Sequence, residues 1–595
     1  MARLRPRAIG RRTLFRAACT ILLLAGAAWL RLTAMTYDRP FEYHPDEWLI
    51  VEPALHIAAS HDPNPHTFLY PTLLTYTETA VVEIVHRVTG APLTVPPAPN
   101  HGGLAAYSAA EVDPSQYVFV EWGRVVVGFL GVMTALVVLL AGLAAKRRVT
   151  PIESQGSAER PSAAPGEQLP AAHGEQLAAQ LEPAAAAQPE SSAESRFGER
   201  AWLAGLAGAA FMAVAVLPVV NSRYLTTDVP SAFFCAAALA ASLASISRSP
   251  DRTSDRLLTL AGFMVGLAAS SKYNAGVVAM VPALAYLTRA GSIRGIPSWL
   301  PGAVRSRTPY LVGLAAVVGF VVTTPMIIFD TGAVVSAIQY QITVYNVEGH
   351  VGAQGDSLRY YVDYLWTTGF GPVLSVLAVA GIGWALLRHR AADLLLVGFT
   401  LVYFALVSIP FVHFERNLLP LVPFVALMAG RFVADAALAL RDLVARRSSR
   451  LASAVVATLL ALLLVQPAMA AIADGRTRGL PDTRATTLAW VDEHLPAGAA
   501  VVREAYTPQL SADLYRPGWV WTLSDHDLSW YRSHGFRYAI ASSYMYDRYV
   551  AAGGAEGAFY ASLFAQPTLY RLSPSDDLSG PTIVILDLGS GGATK

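Results

Sequence analysis

The chain has 595 residues, 54% of them hydrophobic and 15% charged, with a mean hydropathy of +0.41. That charged share lies far below the roughly 25% of an ordinary soluble domain, so the sequence reads as a polytopic α-helical membrane protein. A net charge of +1 excludes the basic field that nucleic-acid binding needs, and two cysteines inside apolar runs, Cys19 and Cys235, exclude a disulfide framework or a cysteine metal site.

Six arginines, Arg3, Arg5, Arg7, Arg11, Arg12 and Arg16, precede the first apolar run, and no convincing small-residue cleavage site follows it. The pattern is that of a retained signal anchor. About 20 apolar residues cross the hydrocarbon core. About eleven segments qualify, at roughly 15–32, 117–145, 201–220, 229–246, 257–270, 275–287, 310–329, 370–387, 394–411, 418–436 and 451–472, the fifth and sixth being short. The stretch from Phe68 to Val88 carries Pro71, Glu78, Glu83, His86 and Arg87, and is read as an amphipathic or re-entrant helix on the outer surface.

Charge distribution supports this assignment, because cytoplasmic loops should hold the Lys and Arg. With the N-terminus cytoplasmic, the inner segments contain Lys146, Arg147 and Arg148, then Arg248, Arg252 and Arg256, then Arg289, Arg294, Arg305 and Arg307, then Arg388 and Arg390, then Arg441, Arg446, Arg447 and Arg450. Counting 68–88 as a crossing would turn these clusters outward. Four regions follow: residues 1–145 with an acidic first external loop at 35–116, a disordered Ala/Gln/Glu/Pro/Ser-rich cytoplasmic insert at 146–199, the remaining transmembrane core at 200–472, and a domain at 473–595. In that last region 486–494 and 525–534 look helical and 500–504, 538–542 and 582–586 look like strands, which makes a small extracytoplasmic α/β domain.

Tyr43-His44-Pro45-Asp46-Glu47-Trp48 places two carboxylates about ten residues past the first span, within reach of water and lipid head groups. Each outward connection after the first pair of spans adds one cation: Arg223, Lys272, Arg359 and Arg416. Any one of them could snorkel to the head groups. The set, at a cost of about 2.5–3.5 kcal/mol for a mid-membrane cation and less near the edge, is better explained by an anionic ligand such as a phosphate. Asp228 is a third acid on this face, either a helix N-cap or a catalytic partner. A divalent metal held by His44, His56 and His413 with Asp46 and Glu47 is a weaker reading, because paired spacing such as HxxxH is missing. Glu47 has three readings: support for the base, metal ligand, or cap of the following helix.

The order of four motifs, His44-Pro45-Asp46-Glu47, Arg223-Tyr224-Leu225-Thr226-Thr227-Asp228-Val229-Pro230, Ser271-Lys272-Tyr273-Asn274 and His413-Phe414-Glu415-Arg416-Asn417-Leu418-Leu419-Pro420, resembles the GT-C glycosyltransferases over 15–436, in particular the protein O-mannosyltransferase and aminoarabinose-transferase group. The resemblance implies a cell-membrane glycosyltransferase acting outside on a polyprenyl-phosphate sugar, with no required cofactor and with a protein, lipid or glycan acceptor. It further implies Asp46 as base in an inverting displacement, Glu47 as its support and Asp228 as the second acid. Lys272, Arg416 and Arg223 would hold the lipid phosphate; the residue pattern adds Arg359 as a further phosphate candidate and His44, Tyr273 and His413 as acceptor or supporting residues. Relatives often carry a basic residue just before the Tyr-Pro step after the first external helix. Here the piece reads Phe68-Leu69-Tyr70-Pro71-Thr72 and lacks it. Two readings of other classes are a transporter for an anionic solute and a cell-envelope scaffold.

Overall fold

The computed structural model describes residues 10–39, 44–94, 114–145, 188–289, 302, 305–445 and 448–589. Tyr43, the insert up to residue 187 and the basic residues Arg3, Arg5, Arg7, Lys146, Arg147, Arg148, Arg294, Arg446 and Arg447 lie outside them. A helix begins at Gln188, within the stretch 146–199 expected as an insert, and runs to Val214.

All eleven apolar segments are helical. Among the described residues, seven helices are long and apolar enough to cross a membrane: Arg11–Leu32, Tyr117–Ala144, Asp228–Ile246, Gly371–Arg388, Ala391–Ser408, Glu415–Ala445 and Leu451–Arg478, and Thr308–Thr323 is a shorter apolar helix. Small residues let the helices touch backbone to backbone, as lipid-embedded packing requires. A Cβ on Gly142 would stand 2.3 Å from the Cα of Gly205, and one on Gly266 would stand 2.2 Å from the carbonyl oxygen of Ala316. One buried apolar cluster runs from Trp48 to Ala429 through the bundle.

Residues 68–88 contribute the helix Leu73–Thr89, which packs against Pro45–Ser60 and Tyr117–Ala144. Its Glu78 is buried and Ile84 and Val88 are exposed. The helix lies over the bundle beside the first loop helix.

The last apolar helix runs to Arg478 and passes within a few residues into Thr483–His494. Beyond it a five-stranded sheet forms from β1 (Ala500–Arg503), β2 (Arg516–Trp519), β3 (Tyr538–Ser542), β4 (Thr568–Leu572) and β5 (Ile583–Asp587), in the order β2-β1-β3-β5-β4. β1 is parallel to β2 and β3, and β5 is antiparallel to β3 and β4. Side chains alternate between the faces. Val501, Ile540 and Ile585 meet helix Thr483–His494, whereas Val502, Ala539 and Val584 meet Tyr546, Tyr560 and Leu563 from helices Ser543–Ala552 and Gly554–Phe564. Both faces are covered, so the domain has its own three-layer core. It docks on the bundle where Gly352, at φ +81°, lies against the Arg548 side chain, leaving no room for a Cβ.

Candidate active site

His44 caps helix Pro45–Ser60, its Nδ1 accepting the Asp46 N–H at 3.3 Å, and Pro45 occupies the first helical position that suits it. Adjacent helical residues do not share a face, so Asp46 and Glu47 part company. Glu47 turns inward and is fully buried. Its Oε1 accepts from Arg124 Nε and from the Leu225 N–H, each at 2.7 Å. Arg124 also binds both oxygens of Asp38 at 2.8 Å and the Met35 carbonyl at 2.7 Å, and the Tyr117 hydroxyl completes the group. Every charge here is paired and dry. Glu47 is therefore neither on the cavity nor beside the metal-type residues; it ties the loop helix to the span Tyr117–Ala144.

Asp46 turns the other way. Its Oδ2 lies 2.7 Å from Arg416 Nη1, and Arg416 Nε lies 4.0 Å from Asp228 Oδ2. Lys272 Nζ donates to Asp228 Oδ1 at 2.6 Å and to Asn417 Oδ1 at 2.7 Å. The motifs around residues 46, 228, 272 and 416 thus meet in one chain of alternating charge. Asp228 is the first residue of its helix, with Thr227 in the cap position, and its carboxylate serves Lys272 rather than backbone N–H groups. The Arg416 guanidinium rests on the Phe414 ring, 4.6 Å from its centroid.

Of these groups, Asp46 and Arg416 line a cavity of about 650 Å³, while Asp228 and Lys272 sit behind them. Burial pushes the Asp46 carboxyl up, but Arg416, His44, Lys272 and His350 together hold it below the usual aspartate range. Burial lowers the His44 imidazole, against the pull of Asp46 and Glu47.

The remaining expected site residues fall elsewhere. Arg223 is buried, bound to Asp474 and to the Leu30 carbonyl at 2.7 Å, and so stands behind the cavity wall rather than facing a phosphate. Arg359 is 81% exposed and pairs loosely with Asp363 at 3.6 Å, away from the cavity. Tyr273 does not line the cavity either; its hydroxyl holds the Phe68 carbonyl at 3.1 Å, beside Tyr70, which does. His44 and His413 line the cavity, His44 against Tyr224 and His413 stacked on Tyr360 at 3.9 Å. His44, His56 and His413 do not converge. Among the described residues the metal-type group is His56, Asp62 and His66.

One wall comes from the C-terminal domain: Tyr506, Trp521, Tyr544 and Arg548. Tyr506 adopts φ +62°, a sparsely populated conformation for a non-glycine residue. Arg548 lies 5.3 Å from the Tyr506 ring centroid and, among the described residues, has no carboxylate within 4.0 Å. Sequence reasoning missed it, because a lone Arg in a domain of ordinary polarity stands out against nothing.

A family model described as dolichyl-phosphate-mannose-protein mannosyltransferase matches residues 193–329. The fold is that of the GT-C glycosyltransferases. The oligosaccharyltransferase AglB of Archaeoglobus fulgidus, solved with an inhibitory peptide and a dolichol-phosphate, aligns at 12% identity over 95% of this chain and 74% of its own, with a TM-score of 0.51. The apo form of the same enzyme aligns over 90% and 70% at 12% identity, with a TM-score of 0.50. ArnT from Cupriavidus metallidurans in the apo state aligns over 96% and 97% at 13% identity, with a TM-score of 0.49. No curated protein matches the sequence significantly.

Proposed function

We propose that the protein is a membrane glycosyltransferase that moves a sugar from a polyprenyl-phosphate donor to an acceptor in the cavity. The observation that carries this reading is the Asp46–Arg416 pair: a carboxylate base and a phosphate-binding cation, 2.7 Å apart on one cavity floor at an end of a membrane bundle. The acceptor hydroxyl gives its proton to Asp46 as its oxygen bonds to the anomeric carbon. The bond from that carbon to the phosphate oxygen breaks with inversion, and the lipid phosphate leaves as an anion held by Arg416. Such stabilisation of developing charge is usually the largest catalytic term, and a base adds about 10²–10⁴-fold.

Lys272 acts through Asp228, holding the second acid in place beside Arg416. A bound phosphate competes with Asp46 for Arg416, and losing that neighbour returns the Asp46 carboxyl toward its ordinary range, where it is the better base. Donor binding thereby arms the base. The aromatic wall with Arg548 faces the acceptor. Charge supports the sidedness: Arg200, Arg388 and Asp435 meet at the bundle end opposite Asp228, which suits a cytoplasmic face there and an extracytoplasmic cavity. The test is purified protein supplied with several polyprenyl-phosphate sugars and candidate acceptors, with and without chelator. Acceptor-dependent release of lipid phosphate is expected, and its absence for every donor overturns the reading.

A further inference from the structure

We propose that His56, Asp62 and His66 form a binding site for a divalent transition-metal ion of the zinc type, which staples the first loop. One donor atom from each lies within 4.8 Å of the others. Asp62 Oδ2 and His66 Nε2 are 3.0 Å apart, and the His56 and His66 rings meet edge to face at 5.6 Å. His56 Nδ1 is buried and has no hydrogen-bond partner among the described residues. A buried polar atom left unsatisfied is destabilising, and a metal bond would remove that cost.

The chain builds this group locally. His61 ends helix Pro45–Ser60 in the left-handed conformation and turns the chain back, so that Asp62 and His66 return beside His56. Asp62 Oδ1 accepts the Asn64 N–H at 2.9 Å, which leaves Oδ2 facing the histidines. Asn64 Nδ2 donates to Asp330 Oδ2 at 3.1 Å, and the Tyr76 hydroxyl donates to the Pro63 carbonyl at 2.9 Å, fixing the turn from outside. Two imidazoles and one carboxylate suit zinc or its first-row neighbours, whereas calcium and magnesium prefer all-oxygen shells. Three protein donors leave a fourth position for water.

None of the three lines the cavity, so the ion takes no part in transfer. It fixes the turn leading to Leu69 and Tyr70, which do line it. This inference stands apart from the proposed activity, since its readout is metal binding.

Untagged full-length protein in detergent, stripped by chelator, is titrated with Zn²⁺ by calorimetry, with Mg²⁺ and Ca²⁺ as controls. One Zn²⁺ per chain is expected, with a metal-dependent rise in melting temperature and no response to Mg²⁺ or Ca²⁺. Loss of even an outer-shell partner weakens metal sites about 10–100-fold, so the His56→Gln/His66→Gln variant should bind Zn²⁺ about 100-fold more weakly or not at all, while melting like the metal-free wild type. Should that variant fail to fold, Asp62→Asn decides by the same loss. No stoichiometric Zn²⁺ binding, or binding unchanged by these substitutions, overturns the site.

Discussion

Asp46 and Glu47 are neighbours in sequence, yet they anchor two ion clusters of opposite character. In the closed cluster Glu47, Arg124 and Asp38 are all fully buried and satisfy one another. In the open cluster Asp46, Arg416, Asp228 and Lys272 carry two negative and two positive charges, and one pair faces a cavity. The same residue types serve architecture where every valence is used inside, and under the proposed function serve chemistry where one face is left for a ligand. Burial without a free face is what separates them.

The largest effect should come from breaking the closed cluster. Arg124→Met strands two buried carboxylates, a loss of about 3–5 kcal/mol that reaches the lower end of a domain's margin of stability. Folded protein should nearly vanish on size-exclusion chromatography, and converting Asp38 and Glu47 to Asn and Gln in the same chain should restore part of it. Breaking the open cluster should leave the fold and remove turnover. Arg416→Gln is expected to melt near the wild type and to lower kcat by about 10²–10³-fold. Its pH–rate profile should also change. Arg416 helps hold the free-enzyme Asp46 carboxyl low, so wild-type kcat/KM keeps its base ionised down past the usual aspartate range near 3.9. In the variant the acid limb moves up toward or above that value.

Glu504 sharpens the comparison as a buried carboxylate paired with no cation among the described residues. It accepts from the Leu523 and Ser542 N–H groups at 3.0 and 2.8 Å and from the Tyr560 hydroxyl, and burial still pushes its carboxyl up to about 7. A folded pKa above the unfolded value means stability that is present below about pH 4.5 and lost as pH rises through 7, by about 3 kcal/mol in full. Denaturant unfolding of the C-terminal domain should show this decline, and Glu504→Gln should flatten it. The smallest effect belongs to Arg359→Gln, which removes an exposed pair and should change stability by no more than about 0.5 kcal/mol and activity not at all.

The helical bundle was legible because lipid exposure writes long apolar runs into the chain, and each of the eleven became helix. Strands β1, β3 and β5 were legible for the same reason, being buried on both faces. The edge strands were not: Arg516-Pro517-Gly518-Trp519 reads as a turn and Thr568–Leu572 is half exposed. Within the candidate site, Asp46, Asp228, Lys272 and Arg416 stood out in the sequence because charges are scarce at span ends. Their division of labour did not, since it depends on partners far along the chain. Lys272 meets Asn417 across 145 positions, and Arg223 meets Asp474 across 251. Arg359 looked equivalent to both until its helix faced it to solvent.

The most direct test of the division between the two clusters is sugar transfer by purified Asp46→Asn, measured as lipid phosphate released from a polyprenyl-phosphate sugar that the wild type accepts. Asn keeps the shape and removes the base, so transfer should fall by at least about 10²-fold while melting temperature and donor binding are retained. Transfer within about threefold of the wild type, in protein that is equally folded, would contradict the assignment of Asp46 as the base.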